Sequence, residues 1–202
     1  MKCSDVTVLR TGSANLASVL AALQRLGCTA TVSPGADEAR RADYLVVPGV
    51  GAIEPVAAAM VESGLDEAVR ERVGQDRPTL GICLGLQLLA AASEESGGCD
   101  GLGVLPVVVR RFPDTVVVPQ LGWNTVEADE HPGLVENGAA YFANSYRISE
   151  APPGWRAAWS DHGGPFVAAL ERGRVLGCQF HPELSGPWGQ DLLQRWLEGS
   201  PC

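Results

Sequence analysis

The stretch that decides the fold is PTLGICLGLQLLAAA, residues 78–92. Its first part, residues 78–83, is a short apolar run that predicts a buried strand, and residues 84–92 have the composition of a helix. A cysteine flanked by Gly81 and Gly85 at such a strand-to-helix turn is the cysteine form of the nucleophile elbow, Gly-x-Ser-x-Gly. Glycine is expected on both sides because side chains would collide in so tight a turn.

The elbow predicts that Cys83 is a nucleophile. The N-terminus of the following helix would favour the thiolate, which is the reactive form of the side chain. The backbone N–H of Leu84 would become an oxyanion donor. A small buried cysteine in a glycine-rich turn remains the alternative interpretation.

Strands and helices alternate around the elbow. We predict strands at residues 5–9, 28–32 and 43–47, and helices at residues 14–26 and 54–73, the second broken near Gly64. Ser13 is the expected N-cap of the first helix, and Gly27 its stop. Such alternation is typical of a parallel α/β sheet.

The second half of the chain predicts short strands separated by Gly, Pro and Asp turns, then a helix at residues 190–197. These strands are expected at residues 104–109, 115–118, 140–142, 157–159, 166–171 and 175–180. They would extend the same sheet in antiparallel or mixed fashion. The predicted fold is α/β, a three-layer sandwich with a mainly parallel central sheet extended by antiparallel strands, in one domain over residues 1–202.

The composition excludes several classes of function. Hydrophobic residues make up 46% of the 202 residues and charged residues 19%, as in ordinary globular proteins. A net charge of −9 argues against nucleic-acid binding, and no stretch has the length of a membrane helix. Without a visible signal peptide we expect a cytoplasmic protein with its six cysteines reduced. No Cys-x-x-Cys occurs, so a zinc site is not expected. We also expect no other metal and no cofactor.

A cysteine nucleophile needs a base, and the chain has three histidines. His131 and His162 lie in polar turns, whereas His181 follows the predicted strand over residues 175–180. Pro182 should keep this segment extended, so that His181 and Glu183 project to the same side. Glu183 would then orient His181 and stabilise its charged form. A loop His–Glu pair without a catalytic role is the alternative.

Together these pieces resemble the class I (triad-type) glutamine amidotransferases, and among them the glutaminase subunits of imidazole glycerol phosphate synthase. The resemblance covers nearly the whole chain and implies a flavodoxin-like fold. The stretches that carry it are residues 48–52 (PGVGA), 81–87 (GICLGLQ), 121–124 (LGWN), 141–142 (YF), 145–146 (SY) and 179–183 (QFHPE). The elbow and His-Pro-Glu are common to the class. The Pro-Gly-Val-Gly stretch at residues 48–51 and the Gly-Trp-Asn stretch at residues 122–124 are more specific to this subunit.

The resemblance implies a role for each matching position. Cys83, His181 and Glu183 would form the catalytic triad, and the backbone of Gly49 and Val50 would join Leu84 in the oxyanion hole. The implied contacts to the substrate, L-glutamine, are Gly51, Gln87, Glu95, Ser145 and Tyr146. The implied partner is a synthase or cyclase subunit, a (βα)₈ barrel in a heterodimer, that receives the ammonia. Its interface would include Asn15, Gln120, Trp123, Asn124 and Leu184.

Several positions depart from the pattern of that subunit. Arg10-Thr11 replaces the usual Asp-Tyr pair, and Leu184 replaces the usual Lys. Gln120 and Asn144 each occupy a position where the subunit usually has His. These segments face the synthase in the family, so the departures leave two partners open: the histidine-pathway cyclase, or a different synthase in a specialised pathway. A non-catalytic binding module on the same fold is a third hypothesis.

Overall fold

A computed structural model describes residues 5–11, 15–33, 35–131 and 133–199. The helices of this part are α1 (Leu16–Arg25), α2 (Ala36–Arg41), α3 (Ile53–Ser63), α4 (Leu65–Gly74), α5 (Leu84–Leu88) and α6 (Gly186–Glu198). Its strands are β1 (Asp5–Leu9), β2 (Thr29–Ser33), β3 (Tyr44–Gly49), β4 (Thr79–Cys83), β5 (Ala90–Ser93), β6 (Cys99–Asp100), β7 (Leu105–Arg111), β8 (Gln120–Val126), β9 (Gly138–Asn144), β10 (Tyr146–Ile148), β11 (Arg156–Asp161), β12 (Pro165–Arg172) and β13 (Val175–Cys178). Short 3₁₀ turns occur at Glu95–Gly97 and Pro182–Leu184.

A seven-stranded sheet in the described part of the chain has the order β11-β12-β13-β4-β3-β1-β2. From β13 to β2 every neighbouring pair is parallel, and β12 and β11 add an antiparallel edge. β4 therefore lies inside the sheet, between β3 and β13. The carboxyl ends of these three strands meet at one edge, where open α/β sheets place their ligand sites.

Helices cover both faces of this sheet. Along β3 the side chains alternate: Leu45 and Val47 belong to one core cluster and Val46 to the other. Helices α2, α3 and α4 pack on the first side, and α1 and α6 on the second. The predicted three-layer α/β fold with a mainly parallel sheet is confirmed, as is the break at Gly64, which separates α3 from α4 with φ 69°.

Two smaller sheets hold the rest of the second half. One has the order β10-β7-β5-β6, and the other is the hairpin β8-β9. The prediction of one extended sheet is therefore correct for β11 and β12 and wrong for the strands before them. The hairpin matters for the site because the end of β9 lies beside Cys83, whose sulfur is 3.9 Å from the Ala143 carbonyl oxygen.

Two predicted elements need correction. The helix after the elbow ends at Leu88, because residues 90–93 pair with β7 and β6 as a strand, and that pairing outweighs the helix propensity of alanine. Residues 115–118 form no strand in spite of their β-branched composition, and Val117 is exposed. The strand begins later, at Gln120, where pairing with β9 starts.

The start of the first helix also differs from the prediction. Ser13 and Ala14 lie outside the described residues. The N-cap is Asn15, whose side chain accepts a hydrogen bond from the Ser18 N–H at 3.4 Å.

Within the described ranges, no helix combines the length and the apolar composition that crossing a membrane requires.

Candidate active site

Cys83 is the last residue of β4 and stands directly before α5. Its backbone has φ 53° and ψ −106°, a conformation that costs energy for any residue with a side chain. The flanking glycines make this turn possible. A Cβ on Gly85 would lie 1.8 Å from the Val47 carbonyl oxygen, and one on Gly81 would lie 2.8 Å from the Gly85 carbonyl oxygen.

Helix α5 contains only five residues. The field at a helix N-terminus grows with the number of aligned peptide dipoles, so one and a half turns stabilise a thiolate less than the predicted longer helix would. Side chains around the sulfur therefore matter more than the sequence indicated.

His181 and Glu183 form a buried pair behind the elbow. His181 Nδ1 lies 2.9 Å from Glu183 Oε1. The predicted extended geometry is correct at His181, which has φ −100° and ψ 95°, and wrong beyond it. Pro182 restricts the residue before it to extended backbone, but is itself well suited to the first position of a helical turn. The pair therefore closes across the 3₁₀ turn Pro182–Leu184.

The backbone of His181 is fixed by its neighbours. Its N–H donates to the Tyr141 carbonyl at 2.9 Å, and its carbonyl accepts from the Ser185 hydroxyl at 2.6 Å. The same hydroxyl oxygen accepts from the Tyr141 N–H at 3.0 Å. The backbone of His181 is thus held against β9 independently of the contact between its imidazole and Glu183.

The environment of His181 favours its charged form. Burial alone lowers the pKa of His181, but hydrogen bonds to Cys83 and Glu183, together with the charges of both groups, raise it to about 10. An imidazolium between a carboxylate and a thiolate is the arrangement that activates a cysteine nucleophile.

The Cys83 sulfur has further polar neighbours besides His181. Its Sγ lies 3.9 Å from the Ala143 carbonyl oxygen and 3.6 Å from Gln179 Nε2. Gln179 belongs to the stretch of residues 179–183 that carries the family resemblance, but the sequence alone assigns it no role. A signal was available, since a polar residue at the end of the apolar run over residues 175–180 must find buried partners.

A pocket of about 290 Å³ opens over the sulfur. All five predicted substrate contacts line it. The predicted nucleophile Cys83 also lines it, as do Val50 and Leu84 of the predicted oxyanion hole. Gly49 does not line the pocket; it pairs with Cys83 in the sheet, and a Cβ there would approach the Leu84 Cβ to 2.8 Å. The lining residues are Val50, Gly51, Cys83, Leu84, Gln87, Glu95, Ala143, Asn144, Ser145 and Tyr146.

The polar residues of the pocket wall are themselves anchored. Glu95 Oε2 accepts from the Ile53 N–H at the start of α3, at 2.8 Å. Gln87 Nε2 donates to the Tyr146 carbonyl at 3.2 Å and to Gln179 Oε1 at 2.8 Å. The pocket is therefore bounded by a carboxylate and by amides in fixed positions.

An exposed apolar surface lies on the hairpin β8-β9. Leu121 is 69% exposed and Trp123 60% exposed, and a second pocket, of about 390 Å³, is lined by residues 119–124 with Val117, Asp161 and His162. We call this the hairpin face. Gln120, which lines this second pocket, pairs with Asn144, which lines the pocket over Cys83, so the two pockets share one pair of β8-β9 residues.

Two of the other predicted interface residues, Asn124 and Leu184, lie at or near this face. Asn124 lines the second pocket, and Gly186 is close enough to Trp123 that a Cβ there would lie 3.7 Å from the indole ring. Leu184, two residues earlier, is 38% exposed. Asn15 is exposed at the start of α1.

The other two histidines lie apart from the elbow. His131 is exposed and contacts Asp129 at 3.1 Å. His162 Nε2 lies 2.8 Å from the Val117 carbonyl oxygen, and its ring packs edge-on against Phe112.

Comparisons with known proteins identify the family of the chain. The family model "Glutamine amidotransferase class-I" matches residues 7–199. The imidazole glycerol phosphate synthase subunit HisH of Symbiobacterium thermophilum is 42% identical over 95% of this chain and 92% of its own. The HisH of Mycolicibacterium paratuberculosis is 41% identical over 98% of this chain and 99% of its own.

One further relative is a longer protein. The chloroplastic imidazole glycerol phosphate synthase hisHF of Arabidopsis thaliana is 38% identical over 96% of this chain but only 34% of its own length.

Solved structures share the fold at lower identity. A glutamine amidotransferase crystal structure superposes with a TM-score of 0.74 at 24% identity, covering 96% of this chain and 97% of that one. The structure of PurLQS from Thermotoga maritima gives a TM-score of 0.77 at 14% identity, covering 97% and 98%. The family match over residues 7–199 and the full-length relatives establish that the chain belongs to the class I glutamine amidotransferases, with the HisH subunits among its relatives.

Proposed function

We propose that this chain is the glutaminase subunit of an imidazole glycerol phosphate synthase, hydrolysing L-glutamine at Cys83 and supplying ammonia to a synthase partner. One observation carries the proposal. A strained cysteine at the end of β4 faces a pocket, and a buried His181–Glu183 pair with a 2.9 Å contact stands behind it. Full-length HisH relatives at 41–42% identity support the assignment.

The proposed reaction has two halves. The Cys83 thiolate attacks the side-chain amide carbon of glutamine, and the resulting oxyanion is stabilised by backbone N–H groups of Leu84 and of the Gly49-Val50 turn. His181 gives its proton to the departing nitrogen, so the C–N bond breaks, ammonia leaves and a γ-glutamyl thioester remains. His181 then takes a proton from water as the water attacks the thioester, which releases glutamate and restores the thiolate.

Glutamine is a zwitterion, and the pocket residues match its two charges. Glu95 brings a carboxylate to the pocket wall, which suits the substrate ammonium. Gly51, Ser145 and Tyr146 bring backbone groups, which suit the substrate carboxylate. Gln87 forms the part of the pocket wall nearest the Cys83 sulfur.

The partner is proposed to be a (βα)₈ barrel that binds at the hairpin face. This chain matches about one third of the Arabidopsis protein, and we take the remaining part of that synthase to correspond to the proposed partner. The exposed Leu121 and Trp123 provide the apolar centre that such interfaces contain. The pairing of Gln120 with Asn144 sets this face next to the pocket where ammonia would form.

We propose that the complex works in the cytoplasm as a heterodimer, with residues 1–202 of this chain forming one glutaminase domain. A reducing compartment suits the thiols of Cys83, Cys99 and Cys178, which form no disulfide in the described part of the chain.

Leu184 favours a second candidate, a glutaminase that serves a different synthase. It presents a partly exposed apolar side chain where the related subunits usually carry Lys, which changes the docking surface. Titration of the purified chain with the imidazole glycerol phosphate synthase cyclase of the same organism separates the two. Binding with glutamine-dependent turnover supports the histidine-pathway partner, and no binding supports the alternative.

A glutamine analogue with a diazoketone in place of the amide tests the glutaminase assignment. In the complex, this electrophile should alkylate Cys83 covalently, and free L-glutamine should protect the residue. The site of modification is read from the mass of the Cys83 peptide, with the Cys83→Ala chain as the control. Absence of a covalent adduct in the complex would support the non-catalytic module.

A further inference from the structure

Gln179 is a completely buried amide beside the sulfur that the proposed function makes the nucleophile. Its side chain is 0% exposed, and Nε2 lies 3.6 Å from Cys83 Sγ. The backbone N–H of Gln179 donates to the Ala168 carbonyl at 2.8 Å, which fixes the residue at the end of β13. This side chain therefore has a defined place in the site.

The orientation of the amide follows from its hydrogen-bond partners. The Tyr146 carbonyl oxygen can only accept, so the Gln87 atom 3.2 Å from it must be the NH₂ group. The same NH₂ group lies 2.8 Å from the Gln179 side chain, so the Gln179 atom there must be the carbonyl oxygen. The remaining amide atom, Nε2, is a donor and faces the sulfur.

We propose that Gln179 is a positioning residue that donates an amide hydrogen bond to Cys83 Sγ and thereby holds the sulfur as a thiolate. A neutral thiol would donate to the Ala143 carbonyl, whereas a thiolate only accepts. The amide of Gln179 donates to the sulfur, and the charged His181 places a positive charge near it, whereas the Ala143 carbonyl is an acceptor in contact with it. A hydrogen-bond donor and a positive charge beside the sulfur favour the thiolate.

The short α5 makes this contact more important. With five residues the helix supplies little dipole, so the charge on the sulfur depends on individual donors. Gln87, in this same helix, holds the Gln179 amide in its donating orientation and also lines the pocket. The wall of the pocket is thereby linked to the protonation state of the nucleophile.

The test is the pH dependence of Cys83 alkylation by iodoacetamide in the full-length chain, quantified by mass spectrometry of the Cys83 peptide. Gln179→Met keeps the length of the side chain but removes the donor, and Gln179→Glu places an acceptor against the sulfur. One hydrogen bond to a charged group corresponds to roughly one pKa unit or more, so we expect the midpoint to rise by about one pH unit in Gln179→Met. The rise in Gln179→Glu should be larger.

Cys99 serves as the reference within each sample. It lies in β6, in a different sheet, so its alkylation profile should be the same in every variant. A purely structural role for Gln179 predicts a lower melting temperature with an unchanged Cys83 midpoint, and that result would overturn the inference. If Gln179→Met does not fold, Gln87→Leu provides the second measurement. It leaves Gln179 in place without its orienting donor and should raise the midpoint by a smaller amount; an unchanged midpoint overturns the inference.

The inference rests on the proposed function, but the two can fail separately. If the diazoketone labels wild-type Cys83 while the Gln179 variants keep the wild-type midpoint, only the role of Gln179 is wrong. A wild-type Cys83 that reacts with neither reagent would contradict both.

Discussion

At the scale of single residues, two cysteines at neighbouring positions of the central sheet have opposite environments. Cys178 on β13 pairs with Ile82, next to Cys83, and is fully enclosed by apolar side chains. Burial raises the pKa of the Cys178 thiol well above its usual value, which makes it unreactive. Cys83, at the pocket edge, contacts His181 and Gln179 instead. The two residues are of the same type, so it is the position of Cys83 at the strand end, beside the pocket, that makes its thiol able to react.

The protonation of His181 gives a prediction on stability. The pKa of His181 is about 10 in the folded chain against 6.5 for the unperturbed side chain, so the folded state binds more protons between these pH values. For His181 alone this contribution to stability is complete below pH 6.5 and is lost as the pH rises to about 10. Over the range in which Cys83 gives up its proton on folding, that loss offsets the proton gained by His181. The slope is at most about 1.4 kcal/mol per pH unit.

Urea denaturation of the wild type and of His181→Asn, at several pH values from 6 to 10, measures this contribution. The difference in unfolding free energy between the two should shrink as the pH rises. Parallel curves over this range would show that the folded state does not hold the additional proton.

At the scale of elements, the elbow depends on close contact between β3 and α5. Gly85→Ala would put a Cβ 1.8 Å from the Val47 carbonyl oxygen, where backbone must move on both sides. We expect a loss of about 2–4 kcal/mol in unfolding free energy. Gly74→Ala is the matched control, since it lies in α4 with nothing within 4 Å of its Cβ, and it should be neutral or stabilising by up to about 1 kcal/mol. Equal effects of the two substitutions in denaturant unfolding would contradict the account of the elbow.

Elements that are set by a local apolar pattern could be predicted from the sequence, whereas elements that depend on pairing with distant strands could not. Strands β1, β3 and β4 are buried apolar runs, and their pattern alone predicted them. The alanines at residues 90–92 favour a helix, and only pairing with β7 turns them into a strand. The sequence does not predict α2, because its six residues bury a single alanine, too little for a periodic signal.

The same distinction applies to the candidate site. The elbow is local in sequence, so Cys83 and its glycines could be predicted from spacing. The contact between Gln179 and Cys83 joins residues 96 positions apart, and no local pattern encodes it. The side-chain arrangement at the hairpin face likewise depends on the register of β8 against β9.

At the scale of the whole molecule, the hairpin face links the proposed glutaminase site to a partner. Large aromatic side chains at the centre of an interface often carry much of the binding energy. Trp123→Ala should therefore weaken binding to the synthase subunit by about 1–4 kcal/mol, roughly fivefold or more in Kd.

Isothermal titration of the two purified subunits measures this loss. Val61→Ala is the control, because Val61 is similarly exposed but lies on α3. An unchanged Kd for Trp123→Ala, or an equal loss for Val61→Ala, would place the partner elsewhere.

The central claim is that Cys83 makes ammonia and that the partner uses it. The most direct test compares the synthase activity of the complex with glutamine and with ammonium salt as nitrogen source, for the wild type and for Cys83→Ala. The account predicts that the variant loses glutamine-dependent synthesis by a factor of at least about 10³ and retains ammonia-dependent synthesis. Retention of glutamine-dependent synthesis, or loss of both activities in a complex that still assembles, would contradict it.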